Sequence, residues 1–177
     1  MIKCLDNVTF IEYVFGGNCM SIEKVRKYFK TKGIEERIQE FEISSATVTL
    51  AAKALQCEEK RIAKTLSFHI GEKVILIVTA GDAKIDNAKY KVQFGMKAKM
   101  LSFDEVETLI GHAVGGVCPF AVNENVGVYL DISLRRFDTV FPACGSSNSA
   151  IELSLWELEE YSGFIEWIDV CKIPCCM

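Results

Sequence analysis

Residues 62–80 commit this chain to a β-sheet core. Ile62 to Ile70 and Val74 to Ala80 are extended runs rich in apolar and β-branched residues, with Gly71-Glu72 between them as a tight turn. A lone hairpin is marginal in water, so further strands or helices must cover it. Strand side chains alternate between faces. Ile62, Lys64, Leu66, Phe68 and Ile70 therefore share one face, and Thr65, Ser67 and His69 share the other. The first face is apolar except for Lys64. A lysine there must snorkel to water, pair, or meet a ligand. From alternation alone, a frayed strand start reaching solvent explains Lys64 as well as a functional site does.

The rest of the chain supplies the covering elements. Ser21 reads as an N-cap for a helix carrying Ile22, Val25 and Phe29, closed by Gly33. The compact domain is expected to start near Met20, giving an extension over 1–19 and a single domain over 20–177. A short strand is expected over Arg37 to Ile43, and Thr47 opens a helix carrying Leu50, Ala51, Ala54 and Leu55. Asp86 to Phe94 suggests another helix. Ser102 to Glu105 and Ser154 to Glu157 are capping boxes, each opening a helix. Strands are expected at Val126 to Ile132, Thr139 to Phe141, Ile151 to Leu153 and Gly163 to Val170. No internal repeat is visible. Strict strand–helix alternation is missing, which disfavours a doubly wound parallel sheet. The expected fold is α/β of the α+β type: a mixed, mostly antiparallel sheet with helices around it.

Composition narrows the chemistry. The chain has 177 residues, enough for one sizeable core. The eight cysteines fall largely inside apolar runs, and no secretory signal precedes them, so free thiols in a cytoplasmic protein are expected. With two histidines and no paired CxxC modules, no metal and no cofactor is expected. No apolar run is long enough to cross a membrane. Charge is uneven: residues 1–100 hold 17 Lys+Arg against 12 Asp+Glu, and residues 101–177 hold 3 against 12. The basic half, with Lys24 to Lys32 and Lys84, Lys89, Lys91, Lys97 and Lys99, could meet phosphates or be plain solvated surface.

Two loops could carry chemistry. Gly111 to Pro119 is glycine-rich, and paired glycines let backbone N–H groups approach a ligand. Ala143 to Asn148 is a small polar loop between strands, which is also ordinary turn composition. No nucleophile-and-base set stands out. Cys118 or Cys144 beside His112 could act as a thiol nucleophile, although inert buried cysteine is the commoner state.

Three stretches together resemble a known family. They are Ile62-Ala63-Lys64-Thr65-Leu66-Ser67-Phe68, Gly115-Gly116-Val117-Cys118-Pro119-Phe120, and Cys144 to Leu153. Their order and spacing resemble the YbaK/EbsC group of aminoacyl-tRNA deacylases, relatives of the editing domain inserted in bacterial prolyl-tRNA synthetases. The likeness runs over roughly residues 20–172. It implies a sheet curled into a partial barrel and trans-editing hydrolysis of the ester on a mischarged tRNA. Lys64 matches the family's essential lysine. Gly115, in the loop ending at Pro119, would offer backbone N–H groups to the ester carbonyl. Phe41, Thr65, Gly116, Val117, Phe120, Gly145, Ser146 and Asn148 match substrate-binding positions. The implied partner is the aminoacylated 3′ end of tRNA, with an aminoacyl-tRNA synthetase as a further candidate. The implied mechanism positions a substrate hydroxyl, thiol or water for attack without a protein nucleophile. Two positions depart from the pattern. Ala150 stands where the Cys-tRNA(Pro) deacylase branch has aspartate, and Ala121 where glycine is common. The alternative is a non-catalytic module of the same fold that binds a tRNA end.

Overall fold

The computed structural model describes residues 16–174. In chain order its elements are α1 (Gly16–Lys32), β1 (Gln39–Glu40), α2 (Val48–Leu55), β2 (Ile62–Ile70), β3 (Lys73–Ala80), β4 (Lys84–Ile85), α3 (Asn87–Phe94) and β5 (Lys99–Met100). There follow α4 (Phe103–Ile110), β6 (Val126–Asp131), β7 (Thr139–Pro142), β8 (Ser149–Ala150), β9 (Leu153–Ser154), α5 (Leu155–Ser162), β10 (Glu166–Ile168) and β11 (Cys171–Lys172).

The β2–β3 hairpin is the centre of the fold, in register from Ala63 opposite Ala80 to Ile70 opposite Lys73. The sheet runs β10-β6-β3-β2-β7-β9, with β5 added on β2. β6 lies parallel to β3, β10 parallel to β6, and β7 parallel to β2. The other pairings are antiparallel. The sheet is therefore mixed and curls into a half-barrel, with five helices among the described residues. β3 lies between β2 and β6, and its Ile75, Leu76, Ile77 and Val78 are all buried. Burial on both faces explains its unbroken apolar run. Each such side chain contributes about 1.5–3 kcal/mol.

Helices close over the sheet with aromatic contacts. Tyr90 of α3 packs on Phe68 at 5.3 Å and on Phe94 at 4.7 Å, ring centre to ring centre. Phe29 of α1 packs on Phe120 at 4.8 Å. α2 sets Ala51 and Ala52 against Ile62 and Phe141. Ile62 shares its sheet face with Lys64, so α2 covers the Lys64 side of β2.

Local signals mark most helix starts. Asp86 caps α3 through the N–H groups of Ala88 and Lys89, and Thr47 caps α2 through that of Leu50. Both capping boxes form. Three expectations need correction. Ser21 is not a cap: α1 already runs from Gly16, and the Ser21 hydroxyl is used by His112 across the core. The strand expected over Arg37 to Ile43 shrinks to Gln39–Glu40, because its only strand partner is the two-residue β8. The strand expected over Gly163 to Val170 shrinks to Glu166–Ile168, with β11 starting just beyond it. The Asp131 carboxylate accepts the Val170 N–H at 2.9 Å, turning the chain between β10 and β11. The expected boundary at residue 20 falls inside α1. The extension before Gly16 and the cysteines at 175 and 176 lie outside the described residues.

Candidate functional site

The sheet has an open stretch of edge beside Lys64. β7 pairs with β2 only at Ile62 and Ala63, and β5 only at Phe68 and His69. Between them, Lys64, Thr65 and Leu66 have no strand partner on that edge among the described residues. Ser67 O accepts the Leu101 N–H at 3.2 Å on this side. Backbone groups of alternate strand residues point to the same edge, so those of Thr65 face the opening. The Thr65 hydroxyl is buried without a hydrogen-bond partner.

A cavity of about 580 Å³ wraps this edge. β2 contributes Ile62 to Ser67, and the glycine-rich loop contributes Val114, Gly115 and Val117. The segment entering α2 adds Ser45 to Val48, and Met100 to Phe103 close one side. Phe141, Ala143, Ser149 and Ala150 close another. The walls are chiefly small or apolar, and among the described residues Lys64 is the one charged residue lining them.

Lys64 is half-buried and held in place. Its ammonium donates to Gly81 O at 3.1 Å and also to Ala83 O, at the bend after β3. An ammonium carries three N–H donors, so one remains. Burial lowers the Lys64 pKa below its ordinary value, opposed by the nearby Cys171 and Asp82.

The glycine-rich loop is shaped by contacts behind it. Gly115 has φ +89, a conformation glycine favours, and a Cβ there would lie 3.3 Å from the side chains of Ala46 and Ser147. Gly116 is closer still: its Cβ would stand 2.6 Å from the Gly145 carbonyl. The Gly116 N–H is already donated to Ala113 O at 3.0 Å. His112, fully buried, staples the loop to α1. Its Nδ1 accepts the Ser21 hydroxyl at 2.6 Å and its Nε2–H donates to Phe120 O at 2.8 Å. Ala121 takes φ 49, in the left-handed region where non-glycine residues are strained, at the position where the resemblance implies glycine.

Among the residues singled out from sequence, Lys64, Thr65, Gly115 and Val117 line the cavity together. The others stand behind it. Phe120 is fully buried against Phe29, and Pro119 is buried beside it. Gly145 packs on the Ser21 carbonyl of α1. The Ser146 hydroxyl donates to Asn148 Oδ1 and accepts from the Ser149 hydroxyl. Asn148 clips the backbone of Phe41 twice, at 2.8 Å each. The Ser45–Val48 and Met100–Phe103 contributions were not expected, since such residues carry no chemical signature in sequence; of the polar loop singled out at Ala143 to Asn148, only Ala143 reaches the cavity, joined by its neighbours Phe141, Ser149 and Ala150. Cys118 and Cys144 are fully buried free thiols whose pKa burial raises, Cys118 to about 12. Neither can serve as an exposed nucleophile. No group of His, Cys, Asp or Glu arranged for a metal ion occurs among the described residues. No helix among them is long and apolar enough to cross a membrane.

The His112 staple makes the loop pH-sensitive. Burial is the main cause lowering the His112 pKa below 6.5, with Lys24 adding to it and the Phe120 hydrogen bond opposing it. The unfolded chain therefore takes up this proton at a higher pH than the folded one. The His112 contribution to stability is present above pH 6.5 and is lost as pH falls toward the lowered folded value. Melting temperature followed from about pH 8 to about pH 5 should fall more steeply for the wild type than for His112→Gln. Parallel curves would contradict the assignment.

Known proteins agree with this layout. Residues 44–161 match the model of the aminoacyl-tRNA editing domain. The chain is 56% identical over 154 residues to the uncharacterized protein YwhH of Bacillus subtilis (strain 168), covering 86% of this chain and 98% of that one. It is 28% identical over 94 residues to proline–tRNA ligase of Bacillus cytotoxicus, covering 52% of this chain and 16% of the ligase. A crystal structure described as a candidate trans-editing enzyme for prolyl tRNA synthetase superposes with TM-score 0.77 at 27% identity, over 86% of this chain and 97% of that one. The hypothetical protein APE2540 superposes with TM-score 0.75 at 30% identity, over 84% and 99%. With the family model matched from α2 through most of α5, and YwhH matched almost end to end, this chain belongs to the aminoacyl-tRNA editing domain family.

Proposed function

We propose that this protein hydrolyses, in trans, the ester linking a wrong amino acid to the 3′ end of tRNA. The observation that carries the reading is the meeting of Lys64, Thr65 and Gly115 on one cavity at an open sheet edge. The amino acid enters between small apolar walls that include Ala46, Ala51, Ala143 and Ala150. The remaining Lys64 N–H meets a substrate oxygen, and the Gly115 segment faces the ester carbonyl. A water, positioned by the cavity and by substrate hydroxyls, attacks the carbonyl carbon. When water attacks, the carbon–oxygen bond to the ribose breaks and the ribose oxygen takes up a proton. The products are free amino acid and uncharged tRNA.

The protein's part in this chemistry is orientation and electrostatics. A substrate group that reaches the unpartnered Thr65 hydroxyl also relieves a buried polar cost of about 1–3 kcal/mol. The test is release of amino acid from a panel of correctly and wrongly charged tRNAs. Release from one or more wrongly charged members, with correctly charged ones spared, supports the reading. No release from any member contradicts it.

A second reading rests on one observation: among the described residues, no carboxylate or histidine lines the cavity. A module of this fold that binds charged tRNA without turnover fits that lining. Saturable binding without release in the same panel would select it.

A further inference from the structure

We infer that Phe103 is a stacking platform for the nucleobase of the nucleotide that carries the amino acid. This rests on the proposed editing reading and adds a positioning residue to it. Phe103 is 77% exposed, although it is a large aromatic at the first position of α4. Met100 and Val114, 56% and 43% exposed, line the same cavity as Phe103. Three exposed apolar side chains on one cavity form a patch of the kind that marks a ligand-binding groove.

The occupant follows from the substrate's covalent structure. The amino acid is esterified to a ribose, and the ribose carries its base. With the amino acid inside the cavity, ribose and base must sit at the mouth. An aromatic ring there offers a face on which any base stacks, and such stacking is sequence-tolerant. The local charge suits the same occupant. Lys97, in the loop before β5, and Lys99, on β5 with its side chain on the face opposite Met100, are both exposed, and their long side chains can reach backbone phosphates outside the cavity.

The test is steady-state deacylation of an aminoacyl-tRNA that the wild type hydrolyses. Phe103→Ala should raise KM roughly 5- to 150-fold with kcat within about twofold. Phe103→Trp should restore KM, whereas Phe103→Leu, apolar but without a π face, should not. An ester of the same amino acid with a simple alcohol has no base, so on it Phe103→Ala should raise KM far less than on the aminoacyl-tRNA. Unchanged KM in Phe103→Ala overturns the inference, as does full rescue by leucine. A drop in sedimentation mass with unchanged KM would assign the rim to a second copy of the chain instead. Should the wild type release no amino acid from any tRNA, the editing reading fails by itself. The platform is then read from binding of a short single-stranded oligonucleotide with the tRNA 3′ sequence. Weaker binding by Phe103→Ala supports it, and equal binding overturns it.

Discussion

Replacing Lys64 with alanine should lower kcat/KM for deacylation by about 100-fold or more while leaving a folded protein. The size follows from what the ammonium does. It sits at the one charged point of an otherwise neutral cavity wall, where field strength is high because water is partly excluded. Two of its donors are spent on Gly81 O and Ala83 O, which fix its position before substrate arrives. Removing it leaves those carbonyls without that donor and costs about 1–3 kcal/mol of stability. Thermal melting of Lys64→Ala, and of the longer apolar Lys64→Met, separates the two losses. Activity absent in both variants, with melting temperatures only modestly lowered, is the expected result. Undiminished release of amino acid by either variant would refute the role. The depressed Lys64 pKa adds a signature in pH. Only the protonated side chain can donate and attract, so wild-type activity should decline on the alkaline side before the pH reaches lysine's ordinary 10.5.

The sequence carried the local rules of this fold and little of its long-range pairing. The hairpin was legible because alternation, β-branching and Gly71 all agreed over residues 62–80. Helix starts were legible where a side chain caps the backbone, as at Thr47, Asp86, Ser102 and Ser154. The parallel placement of β6 on β3, and of β10 on β6, was not legible, because nothing near either strand in sequence encodes a partner so distant. The same divide runs through the site. Lys64 announced itself by breaking an apolar face, and Gly115 by its glycine neighbour. The cavity exists because β7 and β5 each stop short on β2, and that gap is a property of register. The residues at 45–48 and 100–103, and Phe141, Ser149 and Ala150, join the site only once the gap is known.

Gly116→Ala should damage this protein more than its single added methyl group suggests. Gly116 is not in the left-handed region, so the backbone conformation itself tolerates alanine. What forbids it is the neighbour. The new Cβ would stand 2.6 Å from the Gly145 carbonyl carbon and oxygen and 2.7 Å from the Ser146 nitrogen. These are backbone atoms, and they cannot rotate away as a side-chain tip can. Gly145 cannot retreat either, since its own Cα already packs on the Ser21 carbonyl and its φ is +85. The two loops must separate, and Gly115 moves with them. Overpacking of this kind costs about 1–3 kcal/mol, or roughly 2–12 °C in melting temperature for a chain of this size. A displacement near 1 Å at the cavity wall can cost about 100-fold in rate. Gly127→Ala is the matched control. It too has no positive φ, and its closest contact, at 3.0 Å, is the terminal methyl of Ile165, which can swing aside. Gly127→Ala should keep both stability and deacylation near wild type while Gly116→Ala loses both. Equal behaviour of the two variants would show that the contact between the Gly116 and Gly145 loops does not set the shape of the cavity.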